Sequence, residues 1–125
     1  MVTAQSTAEE KREWTQDELI DEARRRFGDD PKRWAFECPC CADVACPQDF
    51  IEAGADPNRA GQECIGRHRG ALGAKRGKDG IVRGERGCDW AAYGLLPGPW
   101  RILLPAGGGK PERHASSFRL AAVSS

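Results

Sequence analysis

The sequence predicts a small α+β domain. In it an N-terminal helix packs on an antiparallel sheet stapled by a metal site. Three observations point there. One well-capped amphipathic helix lies near the start, in "WTQDELIDEARRRFG". Short alternating segments between Gly- and Pro-rich turns fill the end of the chain. Six cysteines are present, and four of them fall within "FECPCCADVAC", Phe36 to Cys46.

The helix comes first. Thr15 can cap it, with Glu18 three residues on, as a capping box requires, and Trp14 and Leu19 have the spacing of a hydrophobic staple. Leu19, Ile20, Ala23 and Phe27 share one face. Asp17 and Glu18 sit at the positive end of the helix dipole, and Arg24, Arg25 and Arg26 at its negative end. Gly28 supplies the stop. A solvated last turn explains the three arginines better than a nucleic-acid helix does.

Asp30-Pro31 opens a turn, and "RWAFEC" alternates as a short strand, with Trp34, Phe36 and Cys38 on one side. "CPQDFIEAG" reads as a two-turn helix with Pro47 at its first position and Gly54 at its end. "ADPNRAG" is a turn or a single helical turn, and "QECIG" a short strand. "CDWAAYGLL", "WRILL" and "SFRLAAV" read as three strands of a meander. "PGP" and "PAGGGKPER" separate them.

At 125 residues one domain is expected. Residues 1–13 are polar without an apolar period and read as a disordered tail. Residues 14–122 form the zinc-stapled domain, and residues 123–125 a frayed end. A core this small benefits from a staple. No apolar run in the first 13 residues resembles a signal peptide, and no stretch approaches a membrane span. The expected compartment is the cytoplasm, where clustered thiols bind metal or do chemistry more often than they form disulfides.

Net charge is zero but segregated. Residues 1–66 carry 15 acidic and 8 basic side chains, whereas residues 67–86 carry 7 basic and 2 acidic. The basic segment hides a repeat. "RHRGALG", "AKRGKDG" and "IVRGERG" each read x-x-Arg-Gly-x-x-Gly. Six matched glycines forbid a helix, since each costs about 1 kcal/mol against Ala. No alternation supports a strand. Residues 67–87 therefore read as a flexible loop. Its arginines Arg67, Arg69, Arg76, Arg83 and Arg86 are candidate contacts to nucleic acid, resembling RGG-type segments without their interleaved aromatics.

A redox reading of Cys38-Pro39-Cys40-Cys41 lacks its context, because no long helix can start before Pro47 and no βαβ unit follows. Zinc asks for four soft ligands. Cys38-x2-Cys41 makes one pair, while Cys64 and Cys88 sit singly in the apolar segments "ECIG" and "CDWAAY". Loop closure across the residues between them costs little, because it grows only logarithmically. Cys38, Cys41, Cys64 and Cys88 are the preferred set. Cys40 can stand in for Cys41, and His68 for Cys64. A four-cysteine site is coordinatively closed, which argues against metal catalysis.

"WAFECPCC", "GADPNRAGQECIGR" and "CDWAAYGLLPGPW" together resemble a family of small, largely uncharacterised zinc-ribbon-like proteins of actinobacteria and their phages. The resemblance spans about Asp17 to Ala121. It implies a zinc-held domain of phage or prophage origin and no known reaction. Ala42 stands where zinc knuckles usually carry glycine, and the Arg-Gly repeat is longer than the family's usual connection. Trp90, Tyr93 and Trp100 can serve as core or as a base-stacking platform, with core the simpler role for Trp90. Asp89 has no catalytic partner in the motif. The expected function is a non-enzymatic binding module for nucleic acid or a host protein. The alternative is a small cysteine-dependent enzyme or thiol–disulfide oxidoreductase using the CPCC cluster, with Cys40 the candidate nucleophile.

Overall fold

The computed structural model describes residues 11–92 and 98–122. Tyr93 and the frayed end expected at 123–125 lie outside the described residues. The strands are β1 (Glu13–Thr15), β2 (Phe36–Glu37), β3 (Val44–Ala45), β4 (Trp100–Leu104), β5 (Arg113–Ser117) and β6 (Arg119–Leu120). The helices are α1 (Gln16–Phe27) and α2 (Pro47–Glu52), with 3-10 turns at Pro31–Arg33, Pro57–Arg59 and Ile65–His68. The molecule is a small α+β protein.

Local chemistry sets α1 as expected. Thr15 Oγ1 accepts from the Glu18 N–H at 3.1 Å, and the Glu18 carboxylate accepts from the Thr15 N–H at 2.9 Å. Gly28 ends the helix at φ 94, its N–H bonded to the Arg24 carbonyl. Arg25 and Arg26 both pair with Glu22. Arg26 also donates to the carbonyls of Leu120 and Ala121, so the last turn of α1 is tied to the C-terminal strand.

The strands form two three-stranded sheets, ordered β1-β4-β5 and β3-β2-β6. The second is antiparallel throughout. The first corrects the all-antiparallel expectation, because β1 runs parallel to β4, with Trp14 opposite Ile102. Of the tail expected at 1–13, residues 1–10 lie outside the described residues. Glu13 is already in the sheet, and the Arg12 carbonyl accepts from the Arg101 N–H at 2.8 Å.

The single strand expected at "SFRLAAV" is displaced. β5 begins at Arg113, inside the stretch read as turn, and pairs with β4 through Ser117. Phe118 then interrupts the ladder, and β6 joins the other sheet. The Phe118 N–H bonds to the Gly61 carbonyl at 2.7 Å while its ring is fully buried. One residue thus carries the chain from sheet to sheet. "QECIG" and "CDWAAY" are not strands among the described residues. They touch through one bridge, Glu63 to Ala91, after which Ile65 enters a 3-10 turn.

Three apolar clusters make the core. Ala23, Trp100, Ile102 and Leu120 join α1 to the sheets, with Trp14 and Leu19 packed against them. Ala45, Phe50, Ala60 and Ile65 hold α2. The third contains Cys38, Cys64, Cys88, Ala92 and Phe118. Phe36 packs against all three. Burying a side chain of this kind stabilises by about 1.5–3 kcal/mol.

The structure also corrects the reading of residues 67–87 as a loop packed against nothing. Ala71 and Val82 are buried, and bridges join Arg76 to Val82 and Arg83 to Cys88. The glycines bring chain segments together here. A Cβ on Gly84 would collide with the Arg69 carbonyl and the Ala71 nitrogen, so only glycine admits this approach. The neighbouring Glu85 N–H bonds to the Arg69 carbonyl at 2.8 Å.

Candidate metal centre

Two loops meet at the cysteine core. In the first, β2 leads into Cys38, whose N–H bonds to the Asp43 carbonyl and whose carbonyl accepts from the Ala42 N–H, each at 2.9 Å. The Cys40 N–H points at Cys38 Sγ, 3.4 Å away. This tight turn needs a left-handed residue after Cys41, and Ala42 takes it at φ 67. An alanine there costs about 1–2 kcal/mol that glycine would avoid. The knuckle forms in spite of the substitution.

The second loop is built from distant segments. The Cys64 N–H bonds to the Trp90 carbonyl at 3.0 Å, and the Cys88 N–H points at Cys64 Sγ at 3.2 Å. A Cβ on Gly66 would collide with the Cys88 backbone, so glycine is what lets these chains lie against each other.

The sulfurs of Cys38, Cys41, Cys64 and Cys88 all lie within 4.8 Å of one another. Cys38 and Cys88 are 3.7 Å apart, and Cys41 and Cys64 3.6 Å. Four thiolates around a tetrahedral ion at 2.3 Å would be separated by about 3.8 Å. A disulfide would need about 2.05 Å. The four cysteines therefore form a cluster that can hold a metal ion, three of them buried and Cys41 half-buried.

Electrostatics agree with that use. Hydrogen bonding with Cys64, together with burial, pushes the Cys38 thiol up. Burial raises Cys41 and Cys88. Cys64, receiving a hydrogen bond from Cys38 and a backbone N–H from Cys88, is lowered to about 5. Four thiols are thus crowded into a space that tolerates one negative charge easily and more only with a cation.

The alternative ligands are elsewhere. Cys40 is exposed and outside the cluster. Cys46 caps α2, its N–H bonded to Asp49 Oδ2 at 2.9 Å. His68 Nε2 lies 2.7 Å from the carboxylate of buried Glu63.

The five arginines take separate posts. Arg67 donates to the Asp89 carbonyl at 2.9 Å, and Arg76 to the Gly80 carbonyl. Arg69 pairs with Glu85 at 3.0 Å and Arg83 with Asp79 at 2.8 Å. Arg86 reaches Asp43 at 3.1 Å, the Val44 carbonyl and Asp49, tying the knuckle to α2. Sequence reasoning missed Asp43 and Phe118. Asp43 is the one acidic residue between Cys38 and Gln48, and nothing local marks it as the partner of Arg86. Phe118 carried no local signal.

A family model described as VVA0879-like matches residues 15–119, a span that holds all four clustered cysteines. The chain belongs to the VVA0879-like family. No curated protein and no solved structure matches this VVA0879-like chain. Among its described residues no helix is long and apolar enough to cross a membrane.

Proposed function

We propose that this VVA0879-like protein is a non-enzymatic binding module. Cys38, Cys41, Cys64 and Cys88 hold one zinc ion in it, and its partner is nucleic acid. The observation that carries the metal reading is the mutual approach of four sulfurs within 4.8 Å. An all-thiolate donor set suits zinc, and four protein ligands leave no open position for water or substrate. The ion would hold the two loops together rather than perform chemistry. Four thiols kept reduced fit a cytoplasmic setting. The phage or prophage origin we propose draws on the resemblance read in the "CPCC", "CIGR" and "CDWAAYGL" segments alone.

The partner reading draws on the basic segment at residues 67–86, which lies between two of the four cysteines. Its cations sit on a folded surface, so their contacts have fixed positions rather than the reach of a free arm. A second reading, a host protein as partner, draws on the exposed apolar side chains of Val44, Ile51 and Leu72. The test is a titration of metal-loaded protein against single- and double-stranded DNA and RNA at two salt concentrations. Nucleic-acid binding should weaken with salt, with a log–log slope set by the number of phosphates neutralised. Absence of salt-dependent binding to any of the four leaves the protein partner as the reading to pursue.

A further inference from the structure

The arginines of the basic segment do not act as one patch. Arg69 and Arg83 face carboxylates, and Arg86 is spent on tying the knuckle to α2. Arg67 and Arg76 instead line one cleft of about 440 Å³, together with Cys40, Ile81, Asp89 and Trp90. Residues far apart in the chain meet there because the cysteine cluster draws their segments together. Ile81 and Trp90 both pack against that cluster.

Trp90 has two roles in this geometry. Its ring lies against Phe118, with centroids 5.7 Å apart and planes tilted by 39°, which fixes its orientation from the inside. It is only half-buried, and it also forms part of the cleft wall. An aromatic ring held on one side by a core and open on another is a pre-organised stacking surface. Arg67 is oriented by the Asp89 carbonyl and Arg76 by the Gly80 carbonyl. For Arg76 that carbonyl contact positions the guanidinium without cancelling its charge, and Arg76 stands exposed at the cleft. Asp89 disfavours a bare anion in this wall and suits a ligand that also brings hydrogen-bond donors.

We propose that this cleft binds one nucleotide of a single-stranded nucleic acid, its base stacked on Trp90 and its phosphate held by Arg76. A duplex does not satisfy the cleft, because its base faces are already covered by their neighbours. An unstacked base offers its π-face and an adjacent phosphate together. A volume of this order matches pockets that take ligands of nucleotide size. The assignment rests on the nucleic-acid reading above and locates it.

The test uses the full metal-loaded chain and fluorescein-labelled single-stranded DNA and RNA of about ten nucleotides, within the range of site sizes for such folds. Binding is read by anisotropy at low and physiological salt. Arg76→Ala is expected to weaken binding about tenfold at low salt and to flatten the log–log slope by about 0.7, one phosphate contact on a single strand. Trp90→Phe, which retains an aromatic against Phe118, is expected to weaken binding several-fold with metal content unchanged. Arg69→Ala and Arg83→Ala are expected to stay within about twofold, since their cations face carboxylates rather than the cleft. Bound oligonucleotide should also shield Cys40 from a maleimide, read by tandem mass spectrometry. If wild type binds but all four variants bind equally well, or Arg69→Ala and Arg83→Ala weaken it as much as Arg76→Ala, the cleft is overturned while nucleic-acid binding stands. If wild type binds no nucleic acid, the partner reading fails and takes the cleft with it.

Discussion

The two halves of the molecule are ordered by different means. The half made of α1, β1, β4 and β5 follows ordinary folding physics. It has a capped amphipathic helix, a five-residue hairpin ladder between β4 and β5, and a cluster built on Trp100 and Ile102. The half between Phe36 and Ala92 has only two two-residue strands, a six-residue helix and short turns. Its order comes from four convergent sulfurs, from glycines that allow backbones to touch and from arginines bonded to carbonyls and carboxylates. Such a region buries Phe50, Ile65 and Val82, but its other buried apolar side chains are alanines and the cysteines themselves, so a staple at the cysteines adds most where the side chains are smallest.

The comparison breaks most sharply at the cysteines. Cys64→Ser should leave the cysteine half without a stable fold, because a structural zinc site contributes about 10–16 kcal/mol of apparent binding energy, as much as the whole stability of a small domain. Amide exchange should rise first between Phe36 and Ala92. The loaded form should also depend on pH. In the loaded form all four thiolates are deprotonated, whereas the unfolded thiols titrate near the ordinary value of 9.0. The loaded fold therefore binds fewer protons than the unfolded chain and loses metal and stability as pH falls. Loss of metal and loss of fold should therefore coincide on acidification, as thermal melts paired with elemental analysis at each pH would record.

In the other half the largest single loss should come from Trp100→Ala, about 3–5 kcal/mol, since the ring is nearly fully buried against Trp14 at 4.7 Å. Metal content should not change in the population that remains folded, as denaturant melts paired with elemental analysis can show. A smaller effect separates two glycines of the repeat. Gly84→Ala forces a Cβ into the Arg69 carbonyl and should cost about 3 kcal/mol, at the upper end of overpacking. Gly73→Ala meets open space and carries only the left-handed penalty at φ 82, about 1–2 kcal/mol. Equal small costs at both positions would restore the free-loop reading of this segment. The smallest effect belongs to Cys40→Ser, exposed and outside the cluster, which should change stability by less than about 0.5 kcal/mol.

What was legible in the sequence follows the same division. The Thr15–Glu18 box, the Trp14–Leu19 staple and the Pro47 start of α2 are local signals, read from residues a few positions apart. The cysteine set was readable because Cys38-x2-Cys41 is local and because Cys64 and Cys88 sit in apolar surroundings. The parallel pairing of β1 was not readable, since Glu13, Trp14 and Thr15 carry no strand period and their partner lies at Arg101–Leu103. Neither was the course of residues 67–87. Its packing depends on side chains that are absent, at Gly66 and Gly84, and a missing side chain leaves no periodicity to detect. Arg86 looked like part of a basic run, yet its partners Asp43 and Asp49 are distant in sequence and adjacent only once the knuckle closes.

The central claim is that one zinc ion, held by Cys38, Cys41, Cys64 and Cys88, orders the half of the molecule that has little regular structure. Native mass spectrometry of protein purified under reducing conditions tests it most directly. The account predicts one zinc per chain, lost together with the folded charge-state distribution on chelation or acidification and absent in Cys64→Ser. A reduced, folded and metal-free wild-type chain would contradict it.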